Sequence, residues 1–275
     1  MNQPNNMHAL LQWYIAAGAD EAIDSEPQNR FVRPAEATLG DKPAAAGDKP
    51  VAAPQPAKTP AVAAKQTTAS DKAPSEDTRE LAGACADFDE LRAAIAAFDG
   101  CALKRTATNT VIGTGDQAAA LMVVGEAPGA EEDRRGLPFV GRAGQLLDRM
   151  LAAIGLARDA VYITNILPWR PPGNRSPTAE EIALCQPFVE RQIALVQPRV
   201  LVLVGGISAK ALLDKREGIT RLRGTWREFT APGLAEPIST MATFHPAYLL
   251  RQPAAKREVW RDLLSIEKKL AELSG

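Results

Sequence analysis

Leu121-Met122-Val123-Val124-Gly125-Glu126-Ala127-Pro128-Gly129 is an apolar run that stops at a glycine and gives way to a turn carrying acids. A short apolar run bounded by turn formers reads as a strand buried on both faces. Residues 161–165, 200–204 and 240–244 repeat the pattern. Between them, residues 143–154, 178–195, 208–213 and 254–270 place apolar side chains at helical spacing, and Phe88 to Phe98 does so upstream. Ser176 and Thr178 ahead of Glu180 and Glu181 mark a helix start. Gly155 after Ile154 marks a helix end. Strands alternating with helices predict βαβ units and a parallel sheet covered on both faces. In such sheets the reacting groups sit on loops leaving the carboxyl ends of the strands. Four loops qualify, 125–136, 166–176, 205–208 and 245–252, and they are expected to converge on one cleft.

The chain has 275 residues, 45% of them hydrophobic and 24% charged, with a formal net charge of −1. That is enough for one large domain or two small ones. No run approaches the roughly 18 apolar residues of a membrane span, and residues 1–10 show no basic stretch followed by an apolar one, so neither a membrane segment nor a signal peptide is expected. Three cysteines do not make a disulfide framework, and two histidines exclude His-rich metal sites. A cytoplasmic protein is expected. The charge divides unevenly: residues 1–80 hold eight Lys and Arg against eleven Asp and Glu, and the remainder holds 24 against 22. Near-neutrality argues against wholesale polycation binding but leaves room for a local basic face.

Residues 34–75 are Ala, Pro, Lys, Thr and Asp in low-complexity order without aromatics. Such a stretch buries too little surface to offset chain entropy. The organisation expected is therefore a short amphipathic helix within 1–25, built on Leu10, Leu11, Trp13, Tyr14 and Ile15, then a disordered Ala/Pro-rich linker over 26–80, then a globular domain over 81–275. The first helix either docks back on the domain or tethers a protein partner.

The first loop holds four acids between Glu126 and Asp133 but lacks the Lys and Ser/Thr of a phosphate-binding loop, so it is no nucleoside triphosphate site. Phe139, between Pro138 and Val140-Gly141, is either core or a flat face for a planar ring. Asn165 ends the second strand; its side chain both donates and accepts, so it can read a pyrimidine edge or hold its own turn. Arg170 and Arg175 sit on a rigid Pro/Gly loop suited to phosphate contacts. His245, the only His of the globular part, sits at a strand's carboxyl end before Pro246. Leu249 or Leu250 beside Arg251 suits an apolar wedge next to a phosphate contact, or burial under the last helix.

Taken together these loops resemble the uracil-DNA glycosylase superfamily, and most closely its family-4 type. The residues are Gly125-Glu126-Ala127-Pro128-Gly129 with Glu131-Glu132-Asp133, then Gly136-Leu137-Pro138-Phe139-Val140-Gly141, Asn165, Arg170-Pro171-Pro172-Gly173-Asn174-Arg175, and His245-Pro246-Ala247-Tyr248-Leu249-Leu250. The resemblance covers about 91–270. It implies a three-layer α/β/α sandwich around a short parallel sheet and hydrolysis of the bond between uracil and deoxyribose in DNA. It also implies roles. Gly125, Ala127, Phe139 and Asn165 would bind the extruded uracil. His245 would donate to the carbonyl oxygen that gains charge. Glu126 and Glu132 are the acids that would stabilise the electron-poor sugar or position water. Arg170, Arg175, Leu249 and Arg251 would contact DNA. A monomer acting on uracil-containing DNA is expected; the rivals are a non-catalytic uracil- or DNA-binding protein on this fold, a glycosylase for hypoxanthine or xanthine, and an enzyme acting on a free nucleoside.

Family-4 enzymes usually hold a [4Fe–4S] cluster on four cysteines. Here Cys101 and Cys185 match two of the positions, Phe98 and Trp169 stand at the other two, and Cys85 lies well upstream. Two matching thiols are poor provision for a cluster that takes four. No metal is expected, no cofactor is required for the chemistry, and Phe98 and Trp169 are expected to pack in the cluster's place.

Overall fold

The computed structural model describes residues 74–274. The amphipathic helix expected in 1–25 and the linker as far as residue 73 lie outside the described residues.

Helix α1, Pro74–Ala84, starts inside the stretch expected to be linker. The expected boundary at residue 80 therefore moves upstream. Thr78 and Ala82 are buried, and α1 packs along α5, Ala179–Val196. Little in the sequence marks this helix: it is small and charged, with Leu81 its only large aliphatic residue. Pro74 in its first turn costs no hydrogen bond, and Glu76 and Asp77 suit the positive end of the helix. Helix α2, Phe88–Ala97, is capped by Asp87, whose Oδ1 accepts from the amides of Asp89 and Glu90.

The sheet has six strands: β1, Gly113–Thr114; β2, Leu121–Gly125; β3, Tyr162–Asn165; β4, Val200–Val204; β5, Trp226–Phe229; and β6, Ile238–Thr243. Their spatial order is β1-β3-β2-β4-β6-β5. The four apolar runs read from the sequence form the parallel centre, β3-β2-β4-β6. The edges differ from expectation: β1 and β5 pair antiparallel, so the sheet is mixed. The chain goes from β2 to β3 on one side and returns to β4 on the other, which makes the β2/β4 boundary a switch point where a crevice opens at the carboxyl ends.

Strand period places alternate residues on opposite faces. Met122, Val124, Tyr162, Leu201 and Leu203 pack under α1, α2, α5 and α6, Gly206–Leu213. Leu121, Val123, Ile163, Val200 and Val202 pack under α4, Arg142–Ala152, and the last helix, Lys256–Ser274. The three layers follow. The expected helix ends are in place: Thr178 and Glu181 form a capping box at the start of α5, and Gly155 takes φ 76° just beyond α4.

Leu201 is wholly buried in β4 at the middle of the sheet. Leu201→Ala is expected to destabilise by about 2–5 kcal/mol. Denaturant unfolding should show a lower midpoint at an unchanged m-value.

Candidate active site

The loop leaving β2 runs through Pro128 and Gly129 into α3, Ala130–Arg135, closed by Gly136 at φ 71°. It then passes Leu137-Pro138-Phe139 into α4. The acids of this stretch divide by where they point. Glu131 pairs outward with Arg134 at 2.5 Å. Asp133 is buried and its Oδ1 accepts from the amides of Thr108 and Asn109. Glu132 turns toward the cleft, but its Oε1 accepts from the amides of Val140 and Gly141, both at 2.9 Å. Those amides open α4 and would otherwise lack partners. Glu126 also lines the cleft, and burial raises its pKa.

Asn165 ends β3 and is 4% exposed. A Cβ on Gly125 would lie 2.4 Å from Asn165 Oδ1 and 2.6 Å from Phe139 Cζ, so only glycine lets the amide and the ring approach the end of β2. Asn165 Nδ2 is buried with no hydrogen-bond partner among the described residues. An unmet buried donor is costly, and one facing a cavity is a place for an acceptor.

After the short helix α7, Ile219–Leu222, comes α8, Pro246–Arg251, which His245 caps. Its Nδ1 accepts from the amide of Ala247 at 3.1 Å. With Nδ1 an acceptor, the neutral ring carries its proton on Nε2. Burial, then the nearby Arg251 charge, lowers its pKa to about 4; Glu132 opposes this. The ring lies 28° from the plane of Phe139, with centroids 5.6 Å apart. Gly205, at φ 107°, brings the β4 loop against His245.

These groups surround a cleft of about 420 Å³. Of the residues singled out in the sequence, Glu126, Ala127, Glu132, Phe139, Asn165, Arg175, His245 and Arg251 line it. Gly125 lies behind, against Asn165 and Phe139. Arg170 does not line it: its Nε donates to Asn174 Oδ1 at 2.7 Å, and its Nη1 lies 3.9 Å from Asp133. Leu249 corrects an expectation. It is 1% exposed, within the core under the last helix, so it is no wedge. Tyr248, one residue earlier, is 37% exposed, lines the cleft and packs on Phe244. Arg175 is held by Glu181 at 2.6 Å.

The positions for which the resemblance implies cluster ligands hold ring packing and two thiols. Phe98 stacks on Trp169 with centroids 6.3 Å apart and meets Phe188 edge-on at 5.3 Å. Trp169 is 1% exposed, and its Nε1 donates to Thr110 Oγ1. Cys101 and Cys185 are buried free thiols. Cys85 lies apart, its thiol donating to Leu81 O. Among the described residues no three Cys, His, Asp or Glu gather as a metal site. Two thiols beside an aromatic stack do not fit a cluster that takes four ligands.

His245 is expected to stay neutral down to about pH 4. The unfolded chain, with the ordinary value of 6.5, takes up that proton earlier. Stability should therefore fall as pH drops from 6.5 toward 4. Imidazole ¹⁵N shifts would check it; a ring that charges near pH 6.5 refutes the assignment.

The uracil DNA glycosylase superfamily model matches residues 112–264. The chain is 40% identical over 181 residues to a Type-4 uracil-DNA glycosylase of Pyrobaculum aerophilum, covering 64% of this chain and 91% of that one. It is 40% identical over 192 residues to one from Archaeoglobus fulgidus, covering 68% and 94%. Against one from Thermotoga maritima it is 43% identical over 152 residues, covering 55% and 77%. A match that runs from β1 into the last helix, and so takes in every loop around the cleft, makes the chain a member of the uracil DNA glycosylase superfamily.

Proposed function

We propose that this protein is a DNA-repair glycosylase that hydrolyses the N-glycosidic bond of uracil in DNA and leaves an abasic site. The observation that carries the reading is the buried Asn165 Nδ2, which has no hydrogen-bond partner among the described residues and is set in a cleft with Phe139 and His245. The relatives' names point the same way.

A base in a duplex must be extruded to reach such a pocket. Uracil then lies against the face of Phe139. Asn165 donates from Nδ2 to the O4 carbonyl and accepts from N3–H at Oδ1, a pattern that cytosine does not match. The C1′–N1 bond breaks and its electron pair goes to the base, spreading onto O2. His245 donates there from Nε2–H. A neutral imidazole keeps its proton, so it stabilises the anion as a hydrogen-bond donor without becoming an acid. The deoxyribose becomes electron-poor at C1′ and water adds there, losing its proton to solvent. Glu126 is the carboxylate assigned to the cationic sugar. Glu132 is assigned to holding the Val140 and Gly141 amides rather than to the chemistry.

Arg175 and Arg251 at the rim are assigned to DNA phosphates, and affinity should fall with salt. One extruded nucleotide needs one pocket, which supports a monomer. No described helix is long and apolar enough to cross a membrane, and work on genomic DNA supports the cytoplasm. The protein is proposed to need no iron–sulfur cluster, since Phe98 and Trp169 bridge the segments that a cluster would join.

Wild type should release free uracil from a uracil-containing oligonucleotide. His245→Ala is expected to lower kcat by about 10²–10³, and Asn165→Ala to abolish preference for uracil over cytosine. A wild type that binds the oligonucleotide yet releases nothing would make this a recognition protein. Protein purified without air should carry no stoichiometric iron or sulfide and no visible absorption band. Trp169→Ala should cost about 3–5 kcal/mol of stability. Finding stoichiometric iron and sulfide would sink the metal-free reading.

A further inference from the structure

Phe139 stands at φ 51°. A bulky residue rarely adopts the left-handed region unless its surroundings hold it there. Two side chains do so from opposite ends of the loop. Glu132 takes the amides of Val140 and Gly141, just after the ring. Arg158, in the turn before β3, takes the carbonyls: Nη1 donates to Phe139 O at 3.0 Å and Nη2 to Pro138 O at 2.7 Å. The same Nη1 meets Asp148 Oδ1 on α4 at 2.5 Å. A planar guanidinium oriented by a carboxylate thus forks across two successive peptide oxygens. Beneath the loop, a Cβ on Gly144 would lie 1.8 Å from Phe139 O, so α4 leaves the carbonyl nowhere to retreat.

We propose that Arg158 is a positioning residue that fixes the face Phe139 presents to the base, with Asp148 orienting its guanidinium. This rests on the reading of the cleft as a uracil site. Arg158 does not line the cleft, so it acts only through the Phe139 backbone. Its side chain is 29% exposed and that of Asp148 40%, so the ion pair alone contributes little to stability. The effect of losing it should appear in base binding. Lysine keeps the charge beside Asp148 but has no fork for two carbonyls. The turn carrying Arg158 also leads directly into β3, which delivers Asn165. One short segment therefore sets both the stacking wall and the edge-reading wall.

The test compares full-length wild type, Arg158→Ala, Arg158→Lys, Phe139→Ala and the Arg158→Ala/Phe139→Ala double variant. The readouts are single-turnover uracil release and inhibition by free uracil, with thermal melting alongside. Arg158→Ala should lower kcat/KM by on the order of 10- to 100-fold, as misplacement by a fraction of an ångström to an ångström does, and should weaken uracil inhibition. Arg158→Lys should melt like wild type yet bind uracil as weakly as Arg158→Ala. In the Phe139→Ala background, removing Arg158 should cost no more than about twofold. Losses that multiply independently, or wild-type inhibition in Arg158→Lys, would overturn the proposal. If Arg158→Ala fails to fold, Asp148→Asn replaces it in the same comparison and should show the same dependence on Phe139. A wild type that releases no uracil at all ends the glycosylase reading itself, before any variant is compared.

Discussion

The site depends on there being no side chain at residue 125. The last residue of β2 sits where the Phe139 ring and the Asn165 amide both close in, and a single methyl group there would collide with each. A glycine at the end of a buried central strand costs some conformational entropy. In return, three elements from separate parts of the chain meet at van der Waals distance. Everything else in the cleft is arranged around that contact: Glu132 holds the loop after the ring, His245 faces the ring from the end of β6, and Gly205 lets the β4 loop lie against His245.

The neutral state of His245 is part of the same economy. Its Nδ1 is occupied by the cap of the helix it begins, and burial beside Arg251 disfavours a second proton. A helix terminus that needs a cap thus also aims a donor into the cleft. Across the sheet, the aromatic stack at Phe98, Trp169 and Phe188 joins the segment after α2 to the loop after β3 and to α5. Ring packing joins these three segments, and Cys101 and Cys185 are buried in the same core as free thiols.

The central strands were legible because each is an apolar run ended by a turn former, and the loops after them had to face one end of the sheet. The edge strands were not legible. Gly113–Thr114 is two residues long, and Trp226–Phe229 mixes apolar and charged residues with no buried run. The Leu249 wedge failed on helical phase: each residue turns the helix by about 100°, and the phase of α8 is set by the His245 cap. Glu132 looked like one acid among several until its amide partners were in place. Arg158 gave no signal at all, since its partners lie 10, 19 and 20 residues away and two of them are backbone oxygens.

The antiparallel edges have a consequence beyond the site. An open parallel sheet offers unpaired peptide groups on both flanks, and a long flat flank is a template for adding a foreign strand. Here one flank closes with a strand of two residues and the other with one of four. Neither is long enough to guide a neighbouring molecule into register. The same short strands that hide from a reading of the sequence protect the fold against self-association through its sheet.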